Sequence, residues 1–452
     1  MLEDGQTIVA LATPEGRGGL AVVRVSGSAA VNVARQLVGP GILPTPVDSH
    51  RARLASIAWP ADDDSELAGR ELDQALVLPM LAPASFTGED TVEFFCHGGI
   101  MPARMVVRAC MAAGARAASA GEFTRRAFVG GRLSLTEAEA VADLIAAEHA
   151  TGARAALQQL RGGLKRRLEA LEQPLLALLA KLEGSLEFGE DESIDCDLAA
   201  AGEVLAAATL AVRELVNLAP AGRRLRDGVQ VVLTGAPNVG KSSLFNALVG
   251  EDRVIVDASP GTTRDVVSAA LDLDGVRFAL HDTAGLRHAG DGVEAKGMAR
   301  TRDLVARADV VLRLQAADQP RPAPSVDAHD DAVVLDVVTK SDLQTEPTVM
   351  GLATSSVNGT GLGALRAALR AAAEDAGLDD AASAGIMLNQ RHLTRLQAAE
   401  SGLEQCLAAC PAGAEVVASL LAPVLQDLGS VSGRVFSEQL LGEVFSRFCV
   451  GK

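Results

Sequence analysis

The stretch Gly235-Ala236-Pro237-Asn238-Val239-Gly240-Lys241-Ser242-Ser243 matches the phosphate-loop pattern G-x-x-x-x-G-K-[ST] at every fixed position. The apolar run before it, residues 229–234 (VQVVLT), reads as a buried strand, and residues 242–248 (SSLFNAL) read as the opening of a helix. That strand–loop–helix setting is the context in which the motif means phosphate binding. Glycines let backbone N–H groups turn inward around phosphate oxygens, and the helix N-terminus adds partial positive charge behind them. Asn238, Val239, Gly240, Lys241, Ser242 and Ser243 are therefore the expected phosphate contacts. Lys241 would reach the β- and γ-phosphates, and the Ser242 hydroxyl would take a Mg²⁺ position.

Three further stretches turn nucleotide binding into GTP hydrolysis. Asp282-Thr283-Ala284-Gly285 follows a strand-like run at 277–281, placing an acid where it can hold Mg²⁺ and a glycine N–H where it can meet the γ-phosphate. Gly261-Thr262-Thr263-Arg264-Asp265 lies between the two motifs, and Thr263 is the candidate for a second Mg²⁺ hydroxyl. Thr339-Lys340-Ser341-Asp342 follows the strand-like run 332–338. The Asp342 carboxylate can accept from guanine N1–H and N2–H₂, which adenine cannot offer, while Lys340 packs along the ring. Backbone N–H groups of Ser355, Ser356 and Val357 should approach guanine O6. The usual base motif starts with Asn; the Thr339 hydroxyl can still tie its loop to the phosphate loop.

Leu286 stands where Ras-type GTPases place a water-orienting Gln. The chain must orient that water otherwise or hydrolyse slowly, and Glu294 is the candidate. Asn238 offers a carboxamide oxygen beside the β/γ bridge that can coordinate a monovalent cation. Asp257, Ser259 and Thr262 would complete the shell, and the cation would supply the charge that an arginine finger gives elsewhere.

The 452 residues suggest about three domains. Residues 1–118 alternate short strands and helices as a compact α/β domain. Residues 119–227 turn to long Ala/Leu-rich helices, with capping-box spacing at Thr136 to Glu139 and breaks expected at Gly162-Gly163 and Pro174. The acidic run 187–197 reads as a solvated connector, and Arg223-Arg224-Leu225-Arg226 as a basic hinge. Residues 228–375 form the nucleotide domain, 376–384 (AGLDDAASA) a linker, and 376–452 resume the helical pattern. The fold class expected is α/β plus α, with a nucleotide domain inserted into a helical one.

Aromatics are 3% with no Tyr, so cores must lean on Ala, Leu and Val. The net charge of −17 repels a phosphate backbone on average, so nucleic acid must be met by a local basic patch or through a partner. The first residues, MLEDGQTIVA, lack the basic region of a signal peptide, and no apolar run approaches the ~20 residues that cross a bilayer. Six scattered cysteines without a C-x-x-C pair point to a reducing, cytoplasmic setting. Cys406 and Cys410 share a helix face, as half a metal site or, more simply, as two small hydrophobes.

With these motifs the chain resembles the tRNA-modification GTPase MnmE (TrmE) family along nearly its whole length. The resemblance is carried by Thr7-Ile8-Val9-Ala10, Gly16-Arg17-Gly18-Gly19, Arg24-Val25-Ser26-Gly27, Phe86-Thr87-Gly88-Glu89-Asp90, His97-Gly98-Gly99, Gly121-Glu122-Phe123-Thr124 and Arg126-Ala127-Phe128. Asn389-Gln390-Arg391-His392, Leu440-Leu441-Gly442 and, most specifically, Phe448-Cys449-Val450-Gly451-Lys452 complete it. The resemblance implies a homodimer joined through an N-terminal domain that binds a 5-formyltetrahydrofolate-type one-carbon carrier, and a Ras-like G domain that uses K⁺. It also implies a flavin-containing partner, MnmG (GidA), with which an aminomethyl-type group is installed on C5 of the wobble uridine of certain tRNAs. Arg24, Glu93, Arg132 and Lys452 match folate-contacting positions, with Arg132 where the family often has Lys. Asn238 matches the K⁺ ligand, Glu294 the acid that orients water, and Cys449 the tail cysteine important for modification. The competing reading is a regulatory GTPase of the ribosome-assembly type, with no part in modification chemistry.

Overall fold

The computed structural model describes residues 5–187, 197–250, 267–282, 302–318, 328–343 and 350–452. Their contacts divide into two units, Met1–Ala142 with Gly429–Lys452, and Asp143–Leu428.

In the first unit, six strands are β1 (Ile8–Leu11), β2 (Leu20–Ser26), β3 (Arg53–Ala58), β4 (Glu71–Met80), β5 (Thr91–His97) and β6 (Arg116–Ala117). They form one sheet in the order β3-β4-β5-β2-β1-β6, antiparallel except for the β1/β6 pair. Side chains alternate between faces along a strand. Val23 and Val25 of β2 therefore join Val77, Val92 and Phe94 under helices α1 (Ala30–Val38) and α2 (Ile100–Ala112), which seal that face with Leu37, Val106 and Ala109. On the other face, Ile8, Ala10 and Ala118 meet Phe123 of α3 (Glu122–Val129). Farther along it, Leu54, Leu76, Phe95 and Val22 stand in register across four strands. Leu54 is 59% and Leu76 46% exposed.

Helix α4 (Leu135–Ala146) starts two residues earlier than its T-x-x-E spacing suggests. Ser134 and Glu137 form the reciprocal cap, with Ser134 N–H donating to the Glu137 carboxylate at 2.6 Å and Glu137 N–H to Ser134 Oγ at 3.3 Å. Both Ser-x-x-Glu and Thr-x-x-Glu occur here, and backbone geometry selects the first.

In the second unit, α5 (Ala150–Leu160), α6 (Gly163–Glu187) and α7 (Leu198–Asp227) lead into the second sheet. Its strands β7 (Val229–Gly235), β8 (Val267–Leu273), β9 (Val276–Asp282), β10 (Val310–Ala316), β11 (Val333–Thr339) and β12 (Leu352–Ala353) run in the order β12-β11-β10-β7-β9-β8. All pairings are parallel except the β8–β9 hairpin. That hairpin turns at Asp274-Gly275, both at positive φ (52° and 80°), the geometry for which Asp-Gly is suited. Helices α8 (Lys241–Val249) and α9 (Leu362–Asp375) pack on the sheet, followed by α10 (Leu378–Ala384), α11 (Gln390–Ala409) and α12 (Ala414–Ser432).

Helices α7 and α11 pack together across the insertion, and Arg213 of α7 pairs with Glu400 and Glu404 of α11 at 2.7 and 2.6 Å. The chain is thus a helical domain interrupted by a P-loop α/β domain. The core of the inserted sheet (Val231, Leu233, Phe278, Leu312) is continuous with Ala155 and Ala156 of α5, Ala221 and Leu225 of α7, and Ala381 and Ala382 of α10. Alanines at these positions let helices approach closely, which suits a chain with few aromatics.

Three local expectations are corrected. The stretch 376–384 is mostly helix: Gly377 at φ 73° caps α10, Asp379 and Asp380 occupy its first turn, and Leu378, Ala381 and Ala382 are buried. The basic stretch 223–226 is the last turn of α7, which Gly228 ends at φ 82°. Gly162, at φ 84°, does separate α5 from α6, but α6 continues through Pro174, flanked by buried Leu171, Leu175 and Leu178. By length and composition α7 and α12 would also suffice to cross a bilayer. Here α7 packs against α11, and Gly402 of α11 leaves the space taken by Val424 of α12.

Candidate functional site

Strands β7, β9, β10, β11 and β12 are parallel, so their C-terminal ends share one sheet edge, where open α/β sheets bind ligands. Every described nucleotide-site residue lies there. Gly235 ends β7 at φ 154°, and a Cβ there would fall 2.7 Å from the Leu314 carbonyl, so the chain can cross β10 only with glycine. Asn238 (φ 62°) and Gly240 (φ 97°) curl the loop, and Gly240 caps α8.

Lys241 is 6% exposed, and its ammonium donates to the carbonyls of Gly235 and Ala236 at 3.0 and 2.9 Å. Ser242 donates to Asp282 Oδ2 at 2.6 Å, with Asp282 3% exposed at the end of β9. A hydroxyl and a carboxylate so placed make a donor pair suited to Mg²⁺ and its water. Val239 is buried, whereas the Asn238 side chain is exposed and Ser243 lies on the open side of α8.

Thr339 ends β11, and its hydroxyl hydrogen-bonds the Val239 carbonyl inside the phosphate loop, with the Gln315 carbonyl 3.1 Å away. Lys340, at φ 58°, puts its ammonium 3.0 Å from Asp318, a partner at the end of β10 that no motif marked. Ser355 donates to Asp342 Oδ1 at 2.5 Å. The Ser355 N–H is committed to the Thr360 carbonyl at 2.9 Å, and the Val357 N–H lies 3.2 Å from Ser355 Oγ. This narrows the expected contact to guanine O6: Ser356 has the N–H with no hydrogen bond among the described residues. Asp257, Ser259, Gly261, Thr262, Thr263, Thr283, Ala284, Gly285, Leu286 and Glu294 lie outside the described residues.

The second candidate site is in the first unit. Arg24 and Glu93 are paired across β2 and β5, and Arg24 Nε donates to Glu93 Oε1 at 2.7 Å. The guanidinium lies over the Phe86 and Phe123 rings at 5.3 and 5.7 Å. Arg132 is exposed, and its Cδ would be 3.9 Å from a Cβ on Gly88, two residues after Phe86. Helix α13 (Glu438–Phe445) and the chain beyond it pack on α3 and α4 through Phe445, Phe448, Phe128 and Leu135. Val450 bridges Ala120, and Gly451, at φ 96°, passes so near β1 that a Cβ would lie 2.0 Å from the Leu11 carbonyl. Cys449 is exposed and Lys452 half-buried.

Nearby, a cleft of about 770 Å³ is lined by Arg116, Glu122, Arg125, Arg126, Thr87 and Glu89, among others. Glu122 accepts from Arg116 at 2.6 and 2.9 Å, from the Ser119 N–H at 2.9 Å and from Arg126 at 3.0 Å. Burial raises its pKa, but these bonds outweigh burial and hold it at about 2. Arg126 also binds Glu89 at 3.0 Å and the Gln6 carbonyl at 2.8 Å. The Gly-Glu-Phe-Thr and Thr-Gly-Glu-Asp segments, which carry the family resemblance, thereby also carry a structural network.

Two family models match the chain: a GTP-binding protein TrmE N-terminus over residues 7–132 and an MnmE helical domain over residues 135–449. A tRNA modification GTPase MnmE from Alkalilimnicola ehrlichii is 42% identical over 99% of both chains. One from Halorhodospira halophila is 39% identical over 100% of this chain and 96% of its own. Among solved structures, the FeoB G-domain from Methanococcus jannaschii is 22% identical over 32% of this chain and 98% of its own, with a TM-score of 0.25. By the span of both models and the full-length identities, the chain belongs to the tRNA modification GTPase MnmE family.

Proposed function

We propose that this chain is a cytoplasmic GTP hydrolase of tRNA modification, and that it works as a homodimer with a flavin-dependent partner. One observation carries the GTPase part: Lys241, Ser242, Asp282, Thr339 and Asp342 converge on one edge of the second sheet. With GTP bound, the Lys241 ammonium exchanges its two loop carbonyls for β- and γ-phosphate oxygens. Ser242 and Asp282 would hold Mg²⁺, which when bound would neutralise charge developing on the phosphates. Asp342, preset by Ser355, selects guanine. Asn238 is exposed at the loop and free to present its oxygen to K⁺, with Glu294 holding the attacking water.

Family membership supports the modification reading: a folate one-carbon carrier at Arg24, Glu93, Arg132 and Lys452, and transfer to C5 of wobble uridine with MnmG as partner. Arg24, held by Glu93 and stacked between Phe86 and Phe123, is a cation beside aromatic faces, suited to an anionic, ring-bearing ligand. The in-register row Leu54, Leu76, Phe95 and Val22 on the same sheet face supports pairing of two copies through this unit.

The test is GTPase rate in KCl and in NaCl at matched ionic strength, for wild type, Asn238→Ala and Glu294→Ala, with wobble-uridine nucleosides measured in cells lacking the protein. Wild type should turn over fast in KCl and slowly in NaCl. Glu294→Ala should fall on the order of a hundredfold without losing GTP affinity. Indistinguishable salt curves overturn the cation mechanism, and unmodified-nucleoside levels equal to wild type overturn the modification reading.

A further inference from the structure

In a chain of net charge −17, residues 149–168 contain Arg154, Arg161, Lys165, Arg166 and Arg167 and no Asp or Glu. No other acid-free run of twenty residues in the chain holds more than three Lys or Arg. The fold gathers these cations at one corner. Arg154 of α5 and Arg161, which caps its C-terminus, are seven residues apart, two turns along one face, and both are exposed. Gly162 reverses the chain, and Arg166 and Arg167 follow, exposed, within the first two turns of α6. Arg166 donates to the Arg161 carbonyl at 2.7 Å, which joins the two helix ends. That bond gives Arg166 a structural task. Arg154, Arg161 and Arg167 make no ion pair among the described residues.

We propose that this α5–α6 corner is an interaction surface for the phosphate backbone of RNA. The proposal rests on the tRNA reading above and names a surface for that substrate. Charge complementarity favours it: exposed guanidiniums, unneutralised within an otherwise acidic chain, suit phosphate oxygens in bidentate fashion. The opposite side of α5 is buried in the core through Ala155 and Ala156, so the helix has no free apolar face with which to enter a membrane. The exposed large hydrophobe on α5 is Leu157 at 38%, and the patch has no Trp or Tyr to anchor its arginines in the desolvated centre of a protein–protein interface.

The experiment compares the full-length wild type with Arg154→Gln/Arg161→Gln/Arg167→Gln and the corresponding triple Glu variant. It measures binding of unmodified tRNA against KCl concentration, with GTPase rate and thermal melting as controls. The Gln variant should bind on the order of a hundredfold more weakly near 0.1 M salt, and the slope of log K against log[salt] should fall by about 2–3, one phosphate contact per arginine. The Glu variant should bind more weakly still, with GTP hydrolysis and melting unchanged in both. Wild-type affinity and slope in the Gln variant overturn the assignment while leaving the tRNA reading intact. Wild type that binds no tRNA, alone or with its partner, overturns both. Phosphatidylserine vesicles serve as the other polyanion: loss of vesicle binding with tRNA binding unchanged would assign the patch to a membrane surface instead.

Discussion

Thr339 occupies the position where the base motif ordinarily carries a carboxamide, and its hydroxyl still reaches the Val239 carbonyl. Thr339→Val keeps the shape and removes the donor, leaving a buried carbonyl without its partner, at about 1–3 kcal/mol. GTP affinity should drop at least about fivefold, and Thr339→Asn should restore it, as read by titration with a fluorescent GTP analogue. Wild-type affinity in the Val variant would show that the strand ends alone hold the two loops together. Glu122 yields a pH prediction. Its folded pKa of about 2 lies below the ordinary value of 4.5, so it stabilises the fold fully above that ordinary value. The contribution is lost as pH falls from there towards about 2. Denaturation midpoints of wild type and Glu122→Gln should therefore differ at pH 7 and converge at pH 2–3. A constant gap would assign the stabilisation to packing instead of charge.

The segment after α13 depends on one backbone conformation. Gly451 sits at φ 96°, 2.0 Å from the Leu11 carbonyl if given a Cβ, so any side chain must push the strand-like contact at Val450 away from Ala120. Gly451→Ala should make residues 446–452 cleavable by limited proteolysis and abolish wobble-uridine modification, with GTPase rate unchanged. A protected tail in that variant would mean that Phe445 and Phe448, packed at 5.4 Å, hold it without the backbone contact.

Across the second unit, one buried carboxylate joins the helical and inserted domains. Asp309, 6% exposed at the start of β10, accepts from Arg224 at 2.9 Å, from Arg223 at 2.5 Å and from the Gln230 N–H at 2.8 Å. It therefore ties the end of α7 to the first residues of β7, the strand that delivers the phosphate loop. Asp309→Ala leaves Arg224 without its counter-charge and should cost about 3 kcal/mol, the low end for breaking a buried pair because Arg223 is half-exposed. The measurement is a urea midpoint; a shift equivalent to less than about 1 kcal/mol would show that the shared alanine core carries the junction unaided.

The sequence by itself marked the candidate residues that meet at the sheet edge. A phosphate loop, an Asp at a strand end and a Thr-x-x-Asp base motif are local patterns whose meaning follows from a few adjacent residues, and the family resemblance rests on the same kind of short segments. The Asp-Gly turn of the β8–β9 hairpin is equally legible, but only the strand after it, residues 277–281, is read above, and without its partner the turn has no hairpin to close. What is non-local needed the tertiary structure. Composition averaged −17 over the chain and hid five cations that a glycine turn folds into one corner. Arg223 to Arg226 read as a hinge because their acid partners, Asp309 and Asp143, lie 83 or more residues away in sequence. Residues 376–384 read as a linker because helix formation there depends on burying Leu378, Ala381 and Ala382 against α5 and α7, a contact that no window of nine residues contains.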